Sequence, residues 1–203
     1  MIKSLKKTLL SQNLESPKWS PAEVAVPGCE LRHYETSLWA STVIRDESQK
    51  EALRQGLRKL LHYIQGENET ETKIEMAVPV TCLVQPGTNE YKVSFFVPPK
   101  HQHSPPEPTD PDVFLEQRKP AAVFVRSFGG FASVEKFNKE AKILADILQK
   151  EGQSFHSDFY FTAGYNRPFT LFNRHNEVWY YKKEIEGLWM AKNILGKIGK
   201  LLI

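Results

Sequence analysis

Cysteine is nearly absent from this chain: Cys29 and Cys82 are the only two in 203 residues. So few cannot build a disulfide scaffold, and two reduced thiols in a cytoplasmic protein are expected. No apolar run approaches the ~20 residues that a membrane-crossing helix needs, and no secretory hydrophobic region opens the chain. Neither sign of charge dominates. Lys and Arg number 27, Asp and Glu 24, and the net charge of +3 is too mild to point to nucleic acid. Catalytic signatures are missing as well. There is no Gly-x-Ser-x-Gly elbow, no P-loop and no His-Glu-x-x-His, and neither cysteine sits in a nucleophile motif. An enzyme is therefore not expected. The composition, 40% hydrophobic and 25% charged, is ordinary for a soluble globular protein long enough to bury a core.

What the chain does contain is a pattern that recurs. At an offset of 86 residues Glu30 and Arg32 fall on Glu116 and Arg118, Gly66 on Gly152, and Ala77 on Ala163. At an offset of 84, Leu53, Leu57, Leu60, Leu61 and Ile64 overlay Phe137, Ala141, Leu144, Ala145 and Leu148. Each half reads strand, strand, helix, strand, strand. In the first half, two short strands run over 30–44 around Glu35-Thr36-Ser37. A helix capped by Asp46 or Ser48 runs to about Gln65 and stops at Gly66. Strands follow over 73–84 and 91–97. Residues 98–111 hold six of the 13 prolines and connect the halves. The second half repeats the strand pair over 113–128, then a helix over 133–151 capped by Ser133, then strands over 158–164 and 177–182. The spacing predicts an α+β fold. It is a pseudo-twofold duplicated unit whose halves pair as antiparallel sheets with helices on one side, or form a distorted antiparallel β-barrel with two flanking helices. The domain spans 19–183, with repeats at about 29–97 and 112–183.

Both ends stand outside the repeat. Residues 1–18 begin with a basic stretch free of acids, in which Ile2, Leu5 and Leu9 share one helical face. A mitochondrial presequence and a helix packed on the domain both fit, although the stretch lacks the arginine that transit peptides favour. Residues 184–203 predict an amphipathic helix. Leu188, Ala191, Leu195, Ile198 and Leu202 lie on one half of the wheel, and Lys192, Lys197 and Lys200 on the other. Such a helix over 185–203 suits an anionic membrane surface, a partner groove or the domain's own surface.

Several segments, taken in order, carry a family likeness. They are Tyr63-Ile64-Gln65-Gly66, Met76-Ala77-Val78-Pro79-Val80, Arg126-Ser127-Phe128-Gly129-Gly130, Thr162-Ala163-Gly164-Tyr165-Asn166 and Asn176-Glu177-Val178-Trp179. Over residues 19–183 the chain resembles the SOUL family of haem-binding proteins, and within it the haem-binding protein 2 branch. The resemblance implies a pseudo-symmetric barrel with two helices. It implies binding of haem or another tetrapyrrole without catalysis, for buffering, transport or signalling.

The resemblance also directs attention to residues. A haem needs apolar cover, cations for its propionates and sometimes an axial ligand. The first helix carries Leu57 and Leu61 for cover, with Arg54, Arg58 and His62 at four-residue spacing beside them. The loop before the last strand, with Phe169, Leu171, Phe172 and Arg174, is the implied lid. His33 on the first strand matches the axial ligand proposed in that branch, with His62 and His175 as rivals and no protein ligand as a further alternative. A second class of function is a protein-interaction or membrane-associated module, linked to cell death or membrane permeability and acting through amphipathic helices. The resemblance brings a BH3-like segment with it, matching 144–155. Here Leu148 is followed by Gly152-Gln153, without the acid that a BH3 helix requires, which argues against a BH3-type partner.

Overall fold

The computed structural model describes residues 14–23, 25–166 and 174–183. The basic segment expected over 1–12 and the helix expected over 185–203 lie outside the described residues.

Among the described residues nine strands and two α-helices follow one another. They are β1 (Trp19–Pro21), β2 (Glu30–Tyr34), β3 (Ser37–Arg45), α1 (Gln49–Gln65), β4 (Val80–Val84), β5 (Glu90–Phe96), β6 (Val113–Arg118), β7 (Ala121–Gly129), α2 (Val134–Lys150), β8 (Tyr160–Gly164) and β9 (His175–Tyr181). β1 was not legible in the sequence. The strand expected over 73–84 shortens to β4, because residues 73–79 run in irregular backbone up to Pro79. Both helix starts follow from their caps. Ser48 accepts from the Glu51 N–H and Ser133 from the Lys136 N–H. Gly66, at φ 116°, ends α1 with its N–H turned back to the carbonyls of His62 and Tyr63.

All the strands join one antiparallel sheet in the order β1-β2-β7-β9-β8-β4-β5-β3-β6. Without β1, that order is palindromic when each second-half strand takes its first-half counterpart's place. The registers match as well: Trp39 pairs with Phe96 as Val125 pairs with Trp179, and Ser41 pairs with Ser94 as Ser127 pairs with Glu177.

The barrel expected from the sequence is formed in part: among the described strands β1 and β6 are the edges, and the sheet curls into a half-barrel. The curl is read from Arg118 on β6, whose guanidinium lies 5.0 Å from the Phe161 ring on β8. Those strands are four steps apart, which would be roughly 19 Å in a flat sheet. Both helices cover one face. There Leu60 and Tyr63 of α1 and Leu144 and Leu148 of α2 are buried against Ala40, Val93, Phe95, Phe124 and Val178. Alternation along each strand sends the other residues to the helix-free face. That face carries Trp39, Phe96, Val123, Val125, Phe161 and Trp179. The proline-rich connector lies along α1, where Tyr63 donates to the Pro106 carbonyl at 2.8 Å and Lys59 pairs with Asp110 and Asp112 at 2.9 Å.

Candidate functional site

α1 presents three longitudinal lines set by its 3.6-residue turn. Ala52, Gly56, Leu60 and Tyr63 are buried. Gly56 allows the close approach of helix to sheet, since a Cβ there would sit 2.6 Å from Cγ2 of Val93. Leu53, Leu57, Leu61 and Ile64 form a second, half-buried line against the same core. Arg54, Arg58 and His62 form the third line and are exposed. The structure thus brings Leu57, Leu61, Arg54, Arg58 and His62 onto one outer surface of α1, as the sequence predicts.

The three polar groups are not equivalent. Arg54 is clamped by Glu51, with contacts of 2.9 and 2.6 Å to its two carboxylate oxygens. That contact holds the Glu51 carboxyl below the usual carboxylate range. Arg58 has no hydrogen-bond or ion-pair partner among the described residues. His62 is exposed, with Nδ1 3.4 Å from a carboxylate oxygen of Glu67. Apolar cover, one unengaged guanidinium and an exposed imidazole are the groups a tetrapyrrole needs.

Of the other predicted residues, His33 and Arg174 can be placed, and neither is on α1. His33 is exposed on β2, paired with Ala122 of β7 and Ser20 of β1. β2 lies five strand steps from β5, on which α1 packs. β2 thus stands near the opposite end of the strand order from β3 and β5, the strands that carry α1. Arg174 lies with the second half, its guanidinium 4.4 Å over the Phe131 ring. Phe169, Leu171 and Phe172 lie outside the described residues. Leu144 and Leu148, the hydrophobic anchors of the BH3-like segment, are fully buried on the inner side of α2.

A second constellation went unnoticed in the sequence. On the helix-free face Glu177 is fully buried and accepts five donors. Oε1 takes Arg32 Nη1 at 3.0 Å, His175 Nε2 at 2.7 Å and Ser127 Oγ at 3.5 Å. Oε2 takes Tyr165 OH at 2.8 Å and Trp179 Nε1 at 2.7 Å. Burial alone would raise this carboxyl. Arg32, His175 and Trp179 reverse that and hold its pKa at about 2. Arg32 also grips Glu30 at 2.8 Å and stacks on Trp19 at 4.2 Å. The available signal was the recurring Glu-x-Arg of 30–32 and 116–118, combined with the strand alternation that turns both pairs to one face.

Comparison with known proteins fits this architecture. The family model described as SOUL heme-binding protein matches residues 14–181. Human heme-binding protein 2 is 42% identical over 181 residues, covering 85% of this chain and 88% of that protein. Bovine heme-binding protein 1 is 32% identical over 158 residues, covering 75% and 82%. Among solved structures, the EcmrR C-terminal domain aligns with a TM-score of 0.56 at 7% identity. The alignment covers 82% of this chain and 99% of that one, which speaks for a shared fold alone.

Proposed function

The chain belongs to the SOUL heme-binding protein family, and from that premise we propose that it binds haem or a related tetrapyrrole, without catalysis, on the outer surface of α1. The observation that carries this reading is the half-buried leucine line beside an unengaged Arg58 and an exposed His62. Leu57 and Leu61 cover the ring, and Arg58 meets a propionate. Arg54 must first leave Glu51 to take the second propionate, so its share is smaller. When bound, the haem iron supplies an open coordination position. His62 is the ligand the geometry supports, in preference to His33. Most of the affinity comes from ring burial, and the role is that of a reservoir, carrier or signal receiver. The palindromic strand order and matched registers support descent of the two halves from one duplicated unit.

The test is an absorption titration of the full chain with haemin and with iron-free protoporphyrin. The two bind within about tenfold of each other, equivalent to ~1.4 kcal/mol. Leu57→Asp weakens both. His62→Ala shifts the Soret band of the haemin complex and leaves protoporphyrin unaffected. Wild-type affinity in Leu57→Asp would move the site away from α1.

A further inference from the structure

The helix-free face is covered at one end and open at the other. One row of side chains crosses it from β7 to β3 in the order Val125, Trp179, Phe161, Leu83, Lys92 and Val43, each paired with the next on the neighbouring strand. Burial falls along that row. Val125, Trp179 and Phe161 are buried, Leu83 and Lys92 are half-buried, and Val43 is 37% exposed. Phe114 of β6 is 39% exposed and pairs with Ser41, which lies two residues from Val43 and so on the same face of β3. Val43 and Phe114 thus leave apolar surface open where β3 meets the edge strand β6.

At the covered end the chain itself contributes to the cover. Leu14 is buried in one cluster with Val125, Phe161 and Trp179, and Leu83 packs against the same cluster. The Glu15 carbonyl accepts from the Val78 N–H at 2.8 Å and the Lys18 carbonyl from the Glu35 N–H at 3.0 Å, so residues 14–18 are fastened at both ends. Upstream of Leu14 the chain continues into residues 1–12. They hold Ile2, Leu5 and Leu9 on one helical face, with Lys3, Lys6 and Lys7 and no acid. As a helix, such a segment spans about 18 Å. The three strand steps from β8 to β3 span at most about 14 Å, so the segment is long enough to cross the open end. Acids stand around that end: Glu47 and Asp112 are exposed, and Glu90 is 41% exposed beside Arg45.

We propose that residues 1–12 dock on the open end of the helix-free face, with Ile2, Leu5 and Leu9 over Leu83, Val43 and Phe114 and the lysines toward Glu47, Glu90 and Asp112. Burial of apolar surface drives the contact. The tether at Leu14 makes it intramolecular, so a modest attraction suffices. A segment held in this way cannot present the same apolar face to a membrane or to an import receptor. The docking face is on the opposite side of the sheet from α1, so it is separate from the tetrapyrrole surface.

Cysteine footprinting on the full chain tests this. Val43→Cys is alkylated with a sulfonated maleimide, and the peptide carrying position 43 is quantified by mass spectrometry, apart from those of Cys29 and Cys82. Adding Leu5→Asp/Leu9→Asp speeds alkylation at position 43 by about tenfold, the ratio for a contact closed roughly nine-tenths of the time. The same pair of substitutions leaves the rate at Lys139→Cys, on α2, unchanged. Should Val43→Cys fail to fold, hydrogen exchange on the chain with its natural Val43 replaces it. Amides of residues 41–45 and 113–116 then exchange faster in Leu5→Asp/Leu9→Asp, and those of α2 do not. Equal rates with and without Leu5→Asp/Leu9→Asp overturn the proposal, as does acceleration that extends to α2. Protection that disappears on tenfold dilution makes a second copy the occupant, and the proposal falls. It falls also if position 43 is unprotected while Leu5→Asp/Leu9→Asp abolishes flotation with phosphatidylserine vesicles, since the apolar face then belongs to a membrane.

Discussion

Replacing Glu177 with glutamine removes one charge from a fully buried polar cluster and leaves its shape almost intact. The carboxylate accepts from five side chains and is fully buried. A glutamine amide has one oxygen to offer. Its NH2 must then face donors that the second carboxylate oxygen now satisfies, from Tyr165 and Trp179 if that side is chosen. Arg32 keeps Glu30, which is 19% exposed, as its charged partner, with the Tyr34 hydroxyl at 3.2 Å. Breaking a buried ion pair by removing one partner costs about 3–5 kcal/mol, since the remaining charge stays desolvated. Urea unfolding at neutral pH should show a loss of that size. Acid should then distinguish charge from packing. The folded pKa is about 2 against an ordinary 4.5. A depressed carboxylate contributes stability that is fully present above its unfolded pKa and lost as pH falls toward the folded value. The wild type should therefore lose about 3 kcal/mol from this group between roughly pH 4.5 and pH 2. Glu177→Gln lacks that component, so its stability curve should be flatter in the same window. Adding Arg32→Met should recover part of the loss, because the orphaned guanidinium is then gone. A glutamine variant within about 1 kcal/mol of wild type, with an unchanged acid limb, would refute the claim that Arg32 depends on Glu177.

Three further outcomes follow from the same contacts. Arg58→Ala should weaken haemin binding by about two- to fivefold, as expected for an exposed charge contact. Arg54→Ala should weaken it less, because Glu51 already holds that side chain; a larger effect at Arg54 in parallel titrations would reverse the assignment of propionate contacts. Gly56→Ala should destabilise by about 1–3 kcal/mol in urea unfolding, since the added methyl meets Val93 and neither helix nor sheet can move cheaply; unchanged stability would mean that α1 slides freely on β5. A chain ending at Lys183 should keep its Soret titration and lose salt-sensitive association with anionic vesicles. Each removed lysine near such a surface accounts for ~1 kcal/mol, and loss of folding on truncation would instead assign 185–203 to the core.

The parts of the fold that were legible are those where local chemistry and the global structure agree. Ser48, Ser133 and Gly66 mark helix ends because a cap acts on neighbours three or four residues away. The two leucine-rich stripes are visible because helical periodicity repeats within the stretch itself. Closure of the barrel was not legible. It depends on whether β1 and β6 meet, and no local pattern in either strand encodes that distance. His33 shows the same limit. Its place on β2 was read correctly, but its separation from α1 depends on a strand order that interleaves the two halves.

The helix-free face was hidden for a different reason. Arg32, Glu177 and Arg118 are charged residues on strands, and such residues are ordinarily assigned to solvent. Burial reverses that assignment only where partners converge, and Arg32 and Glu177 lie 145 positions apart in the chain. The recurrence of Glu-x-Arg at an offset of 86 residues was the visible trace. A charge placed twice on the same buried face of a sheet needs its counter-charge twice. Glu177 supplies one, and Ser94 stands at the position of the other. Arg118 is left to share Glu116 with Lys92, to donate to Thr81 and to stack on Trp39, so the same guanidinium is held in the two halves by different partners.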